Sequence, residues 1–211
     1  MIQLERNKTV LKKYIPESAV DTIAGWVYTF DFKLKIKKSR ASKYGDYRPP
    51  IKGQNHQITI NHDLNRYAFL ITLVHEIAHL SAWKKFGDNI LSHGKEWKQE
   101  YRILLQPFLN EATFPADIII ALKNYISDPA ASVCNDNKLF RVLNKYNENN
   151  NGLHLLEDLP LQAVFATTGN EKFVKQKKIR TRYLCTKLST KEEYLFHGLQ
   201  QVKHLPEASL N

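Results

Sequence analysis

His75 and His79 stand four positions apart in Thr72-Leu73-Val74-His75-Glu76-Ile77-Ala78-His79-Leu80, with Glu76 directly after the first histidine. On a helix, residues at that spacing lie one above the other, roughly 5–6 Å apart, so both imidazoles can reach a single metal ion. Glu76 is turned about 100° from His75, which sets it beside the ion, where it can hold a metal-bound water as a general base. This is the His-Glu-x-x-His pattern of zinc proteases. A catalytic zinc takes three protein ligands and keeps a fourth position open for water. His93, with 13 residues between it and His79, is the expected third ligand, and Glu96 and Glu100 are the competing candidates. The Met-turn class would need a Gly three residues and a His six residues past His79; Ala82 and Lys85 stand there. The alternative to a metal site is a buried helix whose polar groups merely satisfy one another. Three polar groups on an otherwise apolar helix argue for one joint purpose.

The segments around the motif must hold these side chains in place. Phe69 to Trp83 contains no Pro or Gly, so the motif falls mid-helix. Gly87-Asp88-Asn89 should end that helix and turn the chain back. A second helix is expected from Gly94 to about Leu109, presenting His93 from its first turn. Upstream, Val20, Ile23, Ala24 and Val27 recur at helical spacing between Glu17 and Phe30, with Pro16 suited to the first turn. Phe32-Lys33-Leu34-Lys35-Ile36-Lys37 alternates strictly and predicts a strand with one apolar and one cationic face. That face could lie against phosphate, and such a lysine row also discourages edge aggregation. Lys38 to Gly53 reads as a turn-rich connection, and Gln57 to Asn61 as a second strand. Peptide substrates often bind as an added strand, so His56 to Asn61 is expected to border the cleft. His62 reads as a surface or capping residue.

With these residues in view, the chain resembles the SprT-like zinc metalloprotease family, to which Spartan is related. The resemblance rests on Thr72 to Leu80 followed by His93-Gly94-Lys95-Glu96-Trp97-Lys98. Upstream it includes Arg40-Ala41-Ser42-Lys43-Tyr44-Gly45 and Ile58-Thr59-Ile60-Asn61, and it covers about residues 10 to 110. It implies that His75, His79 and His93 bind one Zn2+ ion, that Glu76 is the catalytic base, and that the activity is proteolysis, often of DNA-associated proteins. One departure concerns the cysteine-ligated zinc ribbon that many such proteins carry after the protease core. Here Cys185, His197 and His204 are too few to complete four ligands, so that ribbon is expected to be missing and a second zinc is not expected.

Beyond the second helix, Pro115 to Ile126 and Asp136 to Tyr146 carry helical spacing. Ser127-Asp128-Pro129 reads as a boundary, giving a core over 1–127 and a basic C-terminal domain over 128–211 with one helix and an antiparallel sheet. Asn147 to Gly152 is a polar loop. Val164 to Thr167, Phe173-Val174, Ile179 to Thr186 and Glu193 to Val202 read as strands, separated by Gly169-Asn170, Gln176-Lys177-Lys178 and Ser189-Thr190-Lys191. Lys172, Lys175, Lys177, Lys178, Arg180 and Arg182 form a stretch with no acidic residue before Lys187. They are candidates for nucleic-acid contact, with Phe173 and Tyr183 available to stack on unpaired bases. The other outcome is a solvated hairpin whose aromatics face the core.

The chain has 211 residues and a formal net charge of +10, which favours anionic partners. No apolar run approaches the roughly 20 residues needed to span a bilayer, and Met1 to Lys13 lacks a signal peptide's apolar core. A cytoplasmic protein with no membrane partner is expected, its Cys134 and Cys185 free thiols. The expected fold is α+β: a zincin-like metalloprotease core, its active-site helix packed on a small antiparallel sheet, followed by a small β-rich C-terminal domain. The expected function is a zinc-dependent endopeptidase acting on protein or peptide substrates associated with nucleic acid, with DNA, single-stranded in preference to duplex, as a partner. The alternative is a non-catalytic nucleic-acid-binding protein with a structural zinc.

Overall fold

A computed structural model describes residues 2–40, 43–51, 53–127, 129, 136–147 and 152–206. Cys134, Ala41 and Ser42, Asp128 of the expected boundary, and Glu148 to Asn151 of the expected polar loop lie outside them. The chain divides into two units, Met1–Asn147 and Glu148–Asn211, and is α+β.

In the first unit, α1 (Ile2–Leu11) and α2 (Glu17–Thr29) precede a three-stranded sheet of β1 (Phe32–Lys37), β2 (Gly45–Arg48) and β3 (His56–Asn61). Pro16 caps α2 as its fixed φ allows, and Ala19, Val20, Ile23 and Ala24 are buried on one side of it. The alternation in β1 takes Phe32 into the core, where Leu34 and Ile36 also pack. Lys33 and Lys37 are left exposed.

The sheet departs from the sequence expectation in three respects. Its order is β1-β3-β2, with β1 parallel to β3 and β2 antiparallel to it. The sheet is therefore mixed where an antiparallel one was expected, because the chain reverses twice between β1 and β3. β2 lies within what reads as a loop: Gly45 and Asp46 have low strand propensity, and the segment is held by pairing with β3 rather than by its own composition. Finally, β3 is the central strand, with Ile58 and Ile60 fully buried. It cannot border a cleft as His56 to Asn61 were expected to do; β2 is the edge strand packed against the motif helix.

That helix, α3 (Arg66–Phe86), packs on β2, β3 and α4 (Lys95–Leu105). The carboxamide of Asn65 accepts from the backbone N–H groups of Tyr67 and Ala68, satisfying two donors left free at a helix start. Gly87, at φ 80, ends the helix with its N–H on Trp83 O, a backbone angle that suits glycine. Between these caps, Phe69, Leu70, Ile71, Leu73, Val74, Ile77, Ala78 and Leu80 are all fully buried. Each large apolar side chain so buried contributes about 1.5–3 kcal/mol, so the helix that carries the motif is the centre of the core.

α5 (Ala116–Tyr125) and α6 (Asn137–Asn144) complete this unit. The sequence assigns α6 to the C-terminal domain, but Leu139 and Leu143 belong to the first core. Asn65 Nδ2 donates to Leu143 O (2.9 Å) and Asn147 Oδ1 (2.7 Å), and Tyr146 Oη donates to Asp117 Oδ1 (2.7 Å). These contacts move the division from 127/128 to 147/148.

The second unit is a curled antiparallel sheet of β4 (Leu153–Leu155), β5 (Val164–Ala166), β6 (Lys172–Ile179), β7 (Arg182–Lys187), β8 (Glu193–His197) and β9 (Gln201–Leu205), ordered β4-β9-β5-β6-β7-β8. Leu156, Phe165, Phe173, Cys185 and Val202 form its core. Gln176-Lys177-Lys178, expected as a turn, lies inside β6. The pairing with β7 slips between Lys175 and Lys178, and such a bulge carries a strand through a poorly matched stretch. The turn comes later, with Arg180 at φ 54. Among the described residues no helix is long and apolar enough to cross a membrane.

Candidate metal centre

His75 and His79 project from consecutive turns of α3, and the turn before α4 brings His93 to them. His93 has φ 62, and Gly94 N–H closes that turn on Leu91 O at 2.9 Å. A Cβ on Gly94 would stand 2.9 Å from Leu91 O and 3.1 Å from Leu91 Cβ, so the tight approach requires glycine. The three Nε2 atoms lie 3.3 Å (His75 to His79), 3.2 Å (His75 to His93) and 3.0 Å (His79 to His93) apart.

This triangle is poorly suited to hydrogen bonding. A neutral imidazole nitrogen either donates or accepts, and three atoms facing one point cannot satisfy each other pairwise. It does suit a metal: zinc–nitrogen bonds of about 2.0–2.1 Å in tetrahedral geometry place ligand nitrogens about 3.3 Å apart. Burial drives the His75 pKa well below its ordinary value and the His79 pKa down to about 3, and burial with the charge of Lys98 lowers that of His93. The rings are therefore neutral at pH 7 and offer the lone pairs that a metal needs. These three form the cluster that can hold a metal ion among the described residues.

Glu100 and Glu96 are not brought to it. Glu100 is buried, accepts from Ser81 Oγ at 2.6 Å and pairs with Lys85 Nζ at 2.8 Å, which bolts α4 to α3. Glu96 stands 3.8 Å from Lys95 Nζ.

Glu76, also buried, faces β2. A Cβ on Gly45 would fall 2.5 Å from Glu76 Oε1, so this edge strand passes directly over the carboxyl. Burial, with Asp46 adding to it, pushes the Glu76 pKa up to about 8, while the backbone N–H of Tyr47 donates to the carboxyl and opposes that rise, as do the charges of Lys43 and Arg40. Tyr47 Oη lies 2.9 Å from His56 Nδ1, and its ring is parallel to that of His79, with centroids 6.5 Å apart.

Trp97, which the sequence marks only as part of a helix start, forms a common wall. Its ring centroid is 4.6 Å from His75, 5.2 Å from His79 and 4.6 Å from His93, and it is fully buried and stacked on Tyr101. The i, i+4 spacing of two aromatics on α4 was the available signal.

Residues 17–113 match the SprT-like family. That family is associated with metalloprotease-type activity. No curated protein and no solved structure matches the chain. The SprT-like segment runs from the start of α2 past α4 and includes the three histidines, Glu76 and Trp97, together with the whole three-stranded sheet. α5, α6 and the second unit lie beyond it.

In the second unit Lys172, Lys177, Lys178, Arg180 and Arg182 are exposed on β6, β7 and the turn between them. Lys175 is not available for nucleic-acid contact. It is 1% exposed, and its ammonium donates to the carbonyls of Leu156, Glu157 and Leu159 while resting 4.0 Å from the centroid of the Tyr183 ring. Phe173 and Tyr183 are buried as well, so they face the core rather than unpaired bases. Alternation ahead of the bulge explains this: Phe173 and Lys175 share the inward side, and only the carbonyl cage makes a lysine acceptable there.

Proposed function

We propose that this chain is a zinc-dependent endopeptidase of the His-Glu-x-x-His type, with a zincin-like core, acting on proteins associated with nucleic acid. The observation that carries the reading is the triangle of three neutral imidazole nitrogens 3.0–3.3 Å apart, with a separate buried carboxyl next to the first histidine. His75, His79 and His93 would hold the ion. Bound there, zinc supplies a Lewis acid for the scissile carbonyl and lowers the pKa of a water.

Glu76 is the proton carrier. Without an ion, burial leaves its pKa at about 8; the positive charge of an ion held by the three histidines would favour the ionised form that a base needs, and the Tyr47 N–H holds the carboxylate in place. It takes the proton of the attacking water and delivers it to the leaving amide nitrogen as the carbon–nitrogen bond breaks. The substrate backbone would extend along the open edge of β2 as an added strand, a role that the sequence assigns to β3. The nucleic-acid part of the proposal is supported by the net charge of +10 and by the exposed Lys172, Lys177, Lys178, Arg180 and Arg182.

The test is digestion of a basic DNA-binding protein by the wild type and by Glu76→Gln, each with and without single-stranded DNA, alongside metal analysis of both proteins. Loss of substrate with the wild type alone, a turnover drop on the order of 10²–10⁴-fold in the variant and equal zinc in both are expected. Loss of zinc in Glu76→Gln would make Glu76 a ligand, and absence of cleavage by zinc-loaded wild type would overturn the enzymatic reading.

A further inference from the structure

A groove of about 1450 Å³ runs along β1 and shares no lining residue with the histidine site. Its floor is Phe32 to Ile36, with Leu4, Val10 and Leu11 of α1 and Val27 of α2 on its apolar side, while Asp31, whose carboxylate accepts from Asn55, and the amide side chains of Asn55 and Gln57 line one end. β1 ends the β1-β3-β2 sheet, so one side of its backbone has no strand beside it among the described residues. An unpaired edge of this kind is a template for another strand. With a rise of about 3.3 Å per residue, the six residues of β1 offer about 20 Å of ladder.

Side-chain chemistry selects the occupant. Phe32, Leu34 and Ile36 turn towards the core, and Lys33, Lys35 and Lys37 alternate with them. None of these lysines has an acidic partner among the described residues. A strand added at this edge would place every second side chain beside that lysine row and the others against the α1 wall. Opposite charges across a strand pair stabilise it, and like charges oppose it. A second copy of β1 would set lysine against lysine, which disfavours self-association here. Nucleic acid would answer the lysines but leave the backbone edge and the apolar wall unused.

We infer that the outer edge of β1 is a docking site for an extended segment of a partner protein in which acidic and apolar residues alternate. The site is separate from the proposed substrate edge at β2, so a bound partner would not compete for the histidine cluster. It would recruit a protein to the enzyme or place the enzyme on a complex.

The experiment measures binding of a capped peptide alternating Glu with Val or Leu to the zinc-loaded full chain in the Glu76→Gln background, which prevents consumption of the peptide. The comparison ligands are a scrambled peptide of the same composition, the alternating peptide N-methylated at every second residue, a Lys/Val alternating peptide and a single-stranded oligonucleotide. The expected result is binding of the alternating acidic peptide alone among the peptides, weakened at least about tenfold by Lys33→Glu/Lys35→Glu. That same variant should gain affinity for the Lys/Val peptide, which also certifies its fold. If the double variant does not fold, Lys33→Glu at its exposed position carries the comparison. Equal binding of the scrambled or N-methylated peptide, indifference to the lysine changes, or binding of the oligonucleotide through these lysines without the peptide would each overturn the inference. The lysine row would then serve only to keep the edge from aggregating.

Discussion

An ideal Cβ at Gly45 would stand 2.5 Å from Glu76 Oε1 and 2.8 Å from both Glu76 Cγ and Thr72 Cγ2. Gly45→Ala must therefore push the carboxyl or β2 aside, while the three histidines, held by α3 and the turn at Gly94, stay in place. Turnover should fall by about 100-fold, the scale expected for a misplacement near 1 Å, and zinc content should be unchanged in parallel assays of cleavage and metal. Lys175 makes a different prediction. Burial lowers its pKa below 10.5, so in the window between its folded pKa and 10.5 the unfolded chain holds more protons than the folded one. Stability must then rise with pH through that window and be lowest below it. Lys175→Met should flatten this rise and cost about 2–4 kcal/mol by orphaning backbone carbonyls. Hydrogen exchange of β6 and β7 amides at several pH values reads both effects, and an unaltered pH profile would contradict the assignment.

At the scale of elements, α3 and α4 make the site together. α3 supplies two of the clustered histidines and the proposed proton carrier from one helix, whereas the place of the third histidine depends on how α4 docks. That docking rests on Trp97, fully buried against all three imidazoles, and on Glu100 clasped by Ser81 and Lys85. Trp97→Ala should destabilise the first unit by about 3–5 kcal/mol, as large aromatic truncations in a core do. It should also shrink the drop in Tm that a chelator causes, because a loosened His93 weakens the linkage between metal binding and folding. Thermal melts with and without chelator measure both; an unchanged chelator effect would mean that Trp97 packs without aiming the ligands.

For the whole molecule, the net charge of +10 and the exposed hairpin of β6 and β7 place the prediction in the salt dependence of nucleic-acid binding. Each phosphate contact on single-stranded DNA contributes about 0.7 to the slope of log K against log salt. Replacing Lys177, Lys178 and Arg180 by Gln should lower that slope by about 2 and weaken binding irrespective of base sequence. An unchanged slope would remove this hairpin from the nucleic-acid surface.

The motif helix and the histidine cluster that could hold a metal ion were legible in the chain because their determinants are local. Four-residue spacing decides which side chains share a helix face, Gly87 marks the end of α3, and the histidine after the next turn had few competitors as candidate third ligand, whereas the Asn65 cap at the start of α3 came to light only in the structure. What tertiary structure alone decided is non-local. β2 exists because β3 offers it a ladder, although Gly45 and Asp46 argue against a strand. That pairing puts β3 in the sheet interior and gives β2 the edge over Glu76. α6 joins the first unit because Leu139 and Leu143 find that core. Lys175, one cation among six in sequence, is turned inward by the strand's alternation and caged by three carbonyls from residues 156–159. Spacing along the chain can fix which groups share one element, but the pairing of strands and the direction a surface residue finally faces depend on which distant segment packs against it.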